Sequence, residues 1–147
     1  MVGIDVFLVE DNRYDTEMIL DAFSDQGLND GRILAVNDGA KALDYFFGQE
    51  DTRSMGARLP RLIVLDLKLP KVNGLEVLRR LKADERTQNI PVVIFTSSGE
   101  PQDKRDSYQL GANSYIVKPL DSDKFAAMVN KIGTYWLSAN QTVYSGN

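Results

Sequence analysis

The stretch from Arg61 to Gly74, RLIVLDLKLPKVNG, constrains the fold more than any other part of the chain. Leu62, Ile63, Val64 and Leu65 form an apolar run without polar alternation, which reads as a strand covered on both faces. Asp66 stands at its end, Leu69-Pro70 turns the chain, and Asn73 is placed to cap a helix beginning near Gly74. One ionisable group therefore sits at the carboxyl end of a buried strand, where open parallel α/β sheets bind ligands. Taken alone, Asp66 could equally be a helix cap or a satisfied turn residue.

The rest of the chain repeats the pattern. Val6 to Val9 is an apolar run ending in Glu10-Asp11, and Asn12 can cap a helix with Met18, Ile19, Ala22 and Phe23 as its apolar stripe, closing near Gly27. Ile33 to Val36 reads as a second strand, followed by a short helix carrying Ala42, Leu43, Phe46 and Phe47. Periodicity fails from Gly48 to Pro60, a loop at the long end for a compact domain. A fourth strand is expected over Val92 to Phe95 and an unusually polar helix over Pro101 to Leu110, stopped by Gly111. A fifth strand follows over Tyr115 to Val117. The last helix starts near Ser122 with Phe125, Met128, Val129, Ile132 and Trp136 in register, and the polar tail begins at Ser138. The expected division is one domain over 1–137 and a tail over 138–147.

Strand and helix alternate five times, with connections too long for hairpins. The fold class is therefore α/β: a doubly wound, five-stranded parallel sheet with right-handed crossovers and five helices, in strand order 2-1-3-4-5. A chain of 147 residues suffices for one such domain and buries roughly 70% of its unfolded surface.

What the composition lacks narrows the chemistry. The chain has no Cys, which excludes disulfides, thiolate catalysis and Cys-based zinc sites, and no His, which removes the usual general base and the commonest transition-metal ligand. Carboxylates, Lys and hydroxyls remain. The net charge of −4, without a Lys/Arg cluster, argues against a nucleic-acid surface. No apolar run approaches the roughly 20 residues of a membrane span, and the N-terminus lacks a signal-peptide layout, so no membrane association and a cytoplasmic location are expected.

The fold gathers the strand-end residues on one rim: Glu10 and Asp11, Asp66, Thr96 and Lys118. Three carboxylates brought together repel, and without a cation at least one should protonate. Oxygen ligands without His or Cys favour Mg²⁺ over a transition metal. A Lys and a hydroxyl nearby complete a site for a phosphoryl group, with Asp66 at its centre best placed as the nucleophile. Acidic strand ends can also merely solvate a rim, and Lys118 could simply pair with Asp66.

The residues VEDN at 9–12, DLKLPKVNG from Asp66, IFTSSG at 94–99 and GANSYIVKP at 111–119 resemble the receiver domains of bacterial response regulators, over nearly the whole chain. The resemblance implies a flavodoxin-like receiver fold and Mg²⁺ held by Glu10, Asp11, Asp66 and the main-chain carbonyl of Lys68. It implies that Asp66 accepts phosphate from a histidine kinase, that Thr96 and Lys118 contact the phosphoryl group, and that Tyr115 is an aromatic switch turning in from solvent as Thr96 moves. Signalling would then pass through the face formed by the fourth helix, fifth strand and fifth helix. It also raises a cis Lys118–Pro119 bond as a candidate, which would aim the amine inward. The absence of His fits a donor imidazole on another chain.

Within the family the chain looks closest to single-domain regulators paired with phytochrome-type kinases, on the long loop before Leu62, the RTQNIPVVIFTSS segment and the IGTYWLSA extension. Lys118-Pro119, however, has the general family form at a position that often varies in that subfamily. Lys68 and Ser98, each two residues beyond a site residue, are placed to tune the phosphate lifetime, and small Ser97 leaves room for phosphate to enter. Tyr135, Trp136, Val143 and Tyr144 on and after the last helix offer either a cap on the core or a homodimer face.

Two other chemistries share the geometry. An aspartate-nucleophile phosphatase would carry a second Asp two residues after the nucleophile, where Lys68 stands, and would need more than the 48–60 loop as a cap. A flavin binder would need a hydroxyl- and Gly-rich phosphate loop after the first strand, where Glu10-Asp11 would repel it. The expected role is therefore signalling rather than enzymatic, with slow self-dephosphorylation as the sole chemistry.

Overall fold

The computed structural model describes residues 3–28, 30–48 and 59–143. Its elements run β1 (Val6–Val9), α1 (Arg13–Asp25), β2 (Ile33–Val36), α2 (Gly39–Phe47), β3 (Leu62–Leu65), α3 (Gly74–Ala83), β4 (Val92–Thr96), α4 (Pro101–Gln109), β5 (Ser114–Val117) and α5 (Ser122–Gly133). The five strands form one parallel sheet in the order β2-β1-β3-β4-β5, as the alternation predicts. Most of the 48–60 loop, residues 49–58, lies outside the described residues.

Side-chain alternation along each strand divides the core into two layers. Phe7, Val9, Ile63, Leu65, Val92 and Ile94 face one layer, with Ala42 and Phe46 of α2 and Val77, Leu78 and Leu81 of α3. Val6, Leu8, Leu62, Val64, Val93 and Phe95 face the other, with Ile19, Ala22 and Phe23 of α1 and Phe125, Val129 and Ile132 of α5. β1, β3 and β4 are buried throughout, which is why they read as continuous apolar runs.

Helix starts follow the capping chemistry. Asn12 Oδ1 accepts from the Asp15 amide at 2.8 Å, and Asn73 Oδ1 from the Glu76 amide at 3.0 Å. Gly27 and Gly111 adopt φ of +93° and +106° just beyond α1 and α4, the left-handed conformation that ends helices. α4 is as polar as its sequence reads: Tyr108 is largely exposed, and the buried residue is Ser107, whose hydroxyl donates to the Asp103 carbonyl. The helix is thus held by little apolar contact.

The C-terminal extension carries helical backbone of its own. The helical backbone continues past Ser138 as a π-type segment over Thr134–Ala139, closed by the Asn140 amide on the Tyr135 carbonyl. An ionic knot beneath the sheet holds it. Buried Asp5 pairs with Arg32 and Arg61, and Arg61 also donates to the Leu137 carbonyl. Trp136 and Leu137 consequently pack against the α1/α5 layer, so this part of the extension caps the core while Tyr135 stays exposed.

The loop after β3 is the most constrained connection. Its Lys71 has φ of +72°, and Gly74 lies so close to the strand end that a Cβ there would fall 2.2 Å from the Asp66 carbonyl oxygen. Replacing Gly74 by Ala should therefore lower stability by about 1–3 kcal/mol in denaturant titrations. An unchanged midpoint would show that the loop yields freely.

Candidate phosphoacceptor site

Every strand-end residue singled out in the sequence arrives at the carboxyl edge of the sheet. Glu10 follows β1, and its amide donates to the Val36 carbonyl; Asp66 follows β3, and its amide donates to the Val9 carbonyl. These backbone bonds fix both carboxylates beside the crevice between β1 and β3. Ligand oxygens of Glu10, Asp11 and Asp66 all lie within 4.8 Å of one another, with Glu10 and Asp66 buried and Asp11 exposed.

Lys118 answers this charge. From the end of β5 its Nζ lies 2.8 Å from Glu10 Oε1, 2.9 Å from Asp66 Oδ2 and 2.8 Å from Asp15 Oδ2. The ammonium has three donors and meets three carboxylates. Burial opposes its charge, but the hydrogen bonds to Asp15 and Glu10 and the charges of Asp66 and Glu10 outweigh that and hold it above the ordinary lysine range. Glu10 is pushed up to about 7, first by burial and then by the charge of Asp66, against the pull of Lys118. One lysine does not neutralise the set, and the strain falls on the most buried acid.

The second oxygen of Asp66, Oδ1, accepts from the Leu67 amide at 2.7 Å. Thr96 is fully buried at the end of β4, and its hydroxyl oxygen lies 3.4 Å from the Ser98 amide. Ser98 is buried and joins several parts: its hydroxyl donates to Asp103 Oδ2 at 2.5 Å, and its carbonyl accepts from the Tyr115 hydroxyl at 2.9 Å. Tyr115 is thus not out in solvent; its ring is half-buried and already tied to the β4–α4 connection. Burial raises its pKa, and the charges of Asp103, Asp66 and Glu100 add to the rise. Ser97 is exposed, and Lys68 is exposed on the rim of a cavity of about 450 Å³ that Asp11, Asn73 and Asp103 also line.

Two sequence expectations change. The Lys118–Pro119 bond is trans, and Lys118 reaches all three carboxylates from that backbone without the sharper turn. Asp15 was not anticipated as part of the site. Its signal was present, since an acid four residues after Asp11, in the first turn of a helix starting at the rim, points back toward it.

A parallel doubly wound sheet with clustered acids and a lysine at its switch point defines a class of phosphoryl- and metal-handling proteins. The sequence profile of the response regulator receiver domain matches residues 6–130. The chain belongs to that family. It is 42% identical over 137 residues to the probable methanogenesis regulatory protein FilR2 of Methanothrix harundinacea, covering 93% of this chain and 86% of that protein. It is 32% identical to response regulator Rcp1 of Synechocystis over 90% of this chain and 88% of Rcp1. The Mn²⁺-bound structure of Rcp1 superposes with a TM-score of 0.85 at 29% identity, covering 95% and 99% of the two chains. The phosphorylated cyanobacterial phytochrome response regulator RcpA superposes with a TM-score of 0.85 at 33% identity, covering 97% and 99%. Among the described residues no helix is long and apolar enough to cross a membrane.

The donor set fits a hard divalent cation, because it offers only carboxylate oxygens, and these gather within 4.8 Å of one another. Mg²⁺, the metal of the family, suits it. Replacing Lys118 by Ala should cost on the order of 3 kcal/mol in metal-free buffer, since the carboxylates lose their counter-ion. Saturating Mg²⁺ should raise the thermal midpoint of the variant more than that of the wild type. Equal shifts would mean that Lys118 and the metal do not answer the same charge.

Proposed function

We propose that this protein is a phosphorylatable response regulator in which Asp66 accepts a phosphoryl group from a partner histidine kinase. The observation that carries the reading is the Asp66 carboxylate, buried at the crevice with Lys118 at 2.9 Å and two further acids within metal-sharing distance. In the transfer step an Asp66 carboxylate oxygen bonds to phosphorus while the P–N bond to the donor imidazole breaks, leaving an acyl phosphate on Asp66 and the imidazole on the donor chain. Glu10, Asp11, Asp66 and the Lys68 carbonyl would hold Mg²⁺, which supplies charge neutralisation of the transferring oxygens. Lys118 donates to the phosphoryl group on one side and Thr96 on the other.

The signal then travels by repacking. Thr96, Ser98, Tyr115 and Asp103 already form one connected polar chain from the site to α4, and α4 is weakly anchored. Movement of Thr96 toward the phosphoryl group would pull on this chain and shift the α4–β5–α5 face, where a downstream protein docks. Similarity to RcpA and Rcp1 supports a phytochrome-type kinase as the donor. The receiver unit spans 1–137 in this reading, and the protein acts in the cytoplasm, without binding nucleic acid. A homodimer through the last helix would use exposed Tyr135, since Trp136 is engaged with the core.

Acetyl phosphate with Mg²⁺ should load the wild type with an acid-stable, base-labile phosphate, measured by intact mass, and Asp66→Asn should take up none. Rapid multiple turnover with no trapped phosphate would instead indicate a phosphatase. Lys68, exposed at the cavity mouth, should govern access of water, so Lys68→Asn should change the phosphate lifetime. An unchanged lifetime would remove Lys68 from that role, and Ser97 and Ser98 would be the remaining tuning positions.

A further inference from the structure

Lys118 has three partners, and only two of them belong to the phosphoacceptor and metal-ligand set. The third, Asp15, projects from the first turn of α1, and its Oδ2 is as close to the ammonium, at 2.8 Å, as Glu10 Oε1 is. Its backbone is pinned to the same rim. The Asp15 amide donates to Asn12 Oδ1, the Asn12 amide donates to Glu10 Oε2 at 3.1 Å, and the Thr16 hydroxyl reaches the Asn12 carbonyl at 2.9 Å. The Asp15 side chain is about one-fifth exposed, and that of Lys118 is 8% exposed, so the pair is shielded on the Lys118 side.

The three contacts differ in what phosphoryl transfer does to them. A bound metal ion would draw on the oxygens of Glu10 and Asp66, and conversion of the Asp66 carboxylate to an acyl phosphate would remove that carboxylate's charge. Both partners of Lys118 are thereby weakened at the moment the ammonium is needed. Asp15 offers a full carboxylate that neither event engages.

We infer that Asp15 is a positioning residue, resting on the phosphoacceptor reading above, that holds the Lys118 ammonium over Asp66 while its bonds to Glu10 and Asp66 are exchanged for phosphoryl oxygens. A long flexible lysine confined by one fixed partner loses less freedom when it takes up a new acceptor. Without Asp15 the ammonium stays associated with Glu10 or swings toward solvent.

The sign of the effect separates this role from simple electrostatics. Removing a carboxylate near the site lowers the repulsion felt by an anionic donor, so electrostatics alone makes Asp15→Asn faster. Loss of positioning makes it slower. With saturating Mg²⁺ and acetyl phosphate, Asp15→Asn should take up phosphate about 10-fold more slowly, the scale on which a supporting partner acts. Its Mg²⁺ affinity, read by calorimetry, should stay within about 2-fold, because Asp15 is outside the ligand set. Asp15→Glu, which keeps the charge, should recover part of the rate, and thermal midpoints of both variants establish that they are folded. A rate equal to or above the wild type in Asp15→Asn overturns the inference, as does a loss that weaker Mg²⁺ binding fully accounts for. If Asp15→Asn does not fold, Asp15→Glu decides alone, since a wild-type rate supports the charge tether and a rate no better than that of Lys118→Ala overturns it. Failure of the wild type to take up phosphate overturns the underlying reading instead, and with it this one.

Discussion

The carboxylate–ammonium cluster at the rim is the interaction on which the rest of the site depends. Glu10, Asp15 and Asp66 converge on one lysine, with Asp11 beside them, so the cluster carries more negative than positive charge. Such an arrangement is tolerable only with each charge paired and with a means of taking up the excess. The excess is also what the site uses. It draws a hard cation, and it leaves a lysine whose acceptors can be exchanged for those of a phosphoryl group. A neutral rim of the same shape would be more stable and chemically idle.

The sheet makes this cluster possible by direction. Parallel strands all end on one edge, so residues as far apart in sequence as 10 and 118 meet there. The loop after β3 then holds the nucleophile's backbone in place. Gly74 allows the helix start to press against Asp66, the Leu67 amide engages one carboxylate oxygen, and Lys71 accepts a left-handed backbone. The opposite arrangement prevails at α4, where Ser107 is the buried contact and a short serine–aspartate bond ties the helix to the strand end. Rigidity beside Asp66 and looseness at α4 are what the proposed function needs, with phosphate accepted at a fixed point and the response made elsewhere.

Much of this was legible in the sequence because apolar runs and strand-end polar residues follow from burial on both faces of a parallel sheet. Val6–Val9, Ile33–Val36 and Leu62–Leu65 took the same bounds from pattern and from structure, and Asn12 and Asn73 announced their helices. What was not legible depended on contacts distant in sequence. The π-type segment over Thr134–Ala139 is held by Arg61, more than 70 residues earlier, which donates to the Leu137 carbonyl. Asp15 is placed toward the rim by its position in the first turn of α1, but its contact with Lys118, 103 residues later, is visible only in the fold. The family resemblance implied that Tyr115 turns in from solvent, whereas its hydroxyl already donates to the Ser98 carbonyl across 17 residues of chain.

Among the clustered acids, Asp66 is the group that the proposed function expects to take up the phosphoryl group. The direct measurement is to treat the acetyl phosphate-loaded protein with borohydride, which reduces an acyl phosphate to an alcohol, and to map the modified peptide by mass spectrometry. Conversion of Asp66 to homoserine, dependent on Mg²⁺, with Asp11 and Asp15 unmodified, is the expected result. Conversion at Asp11 or Asp15, or label with no reducible aspartate, would contradict it.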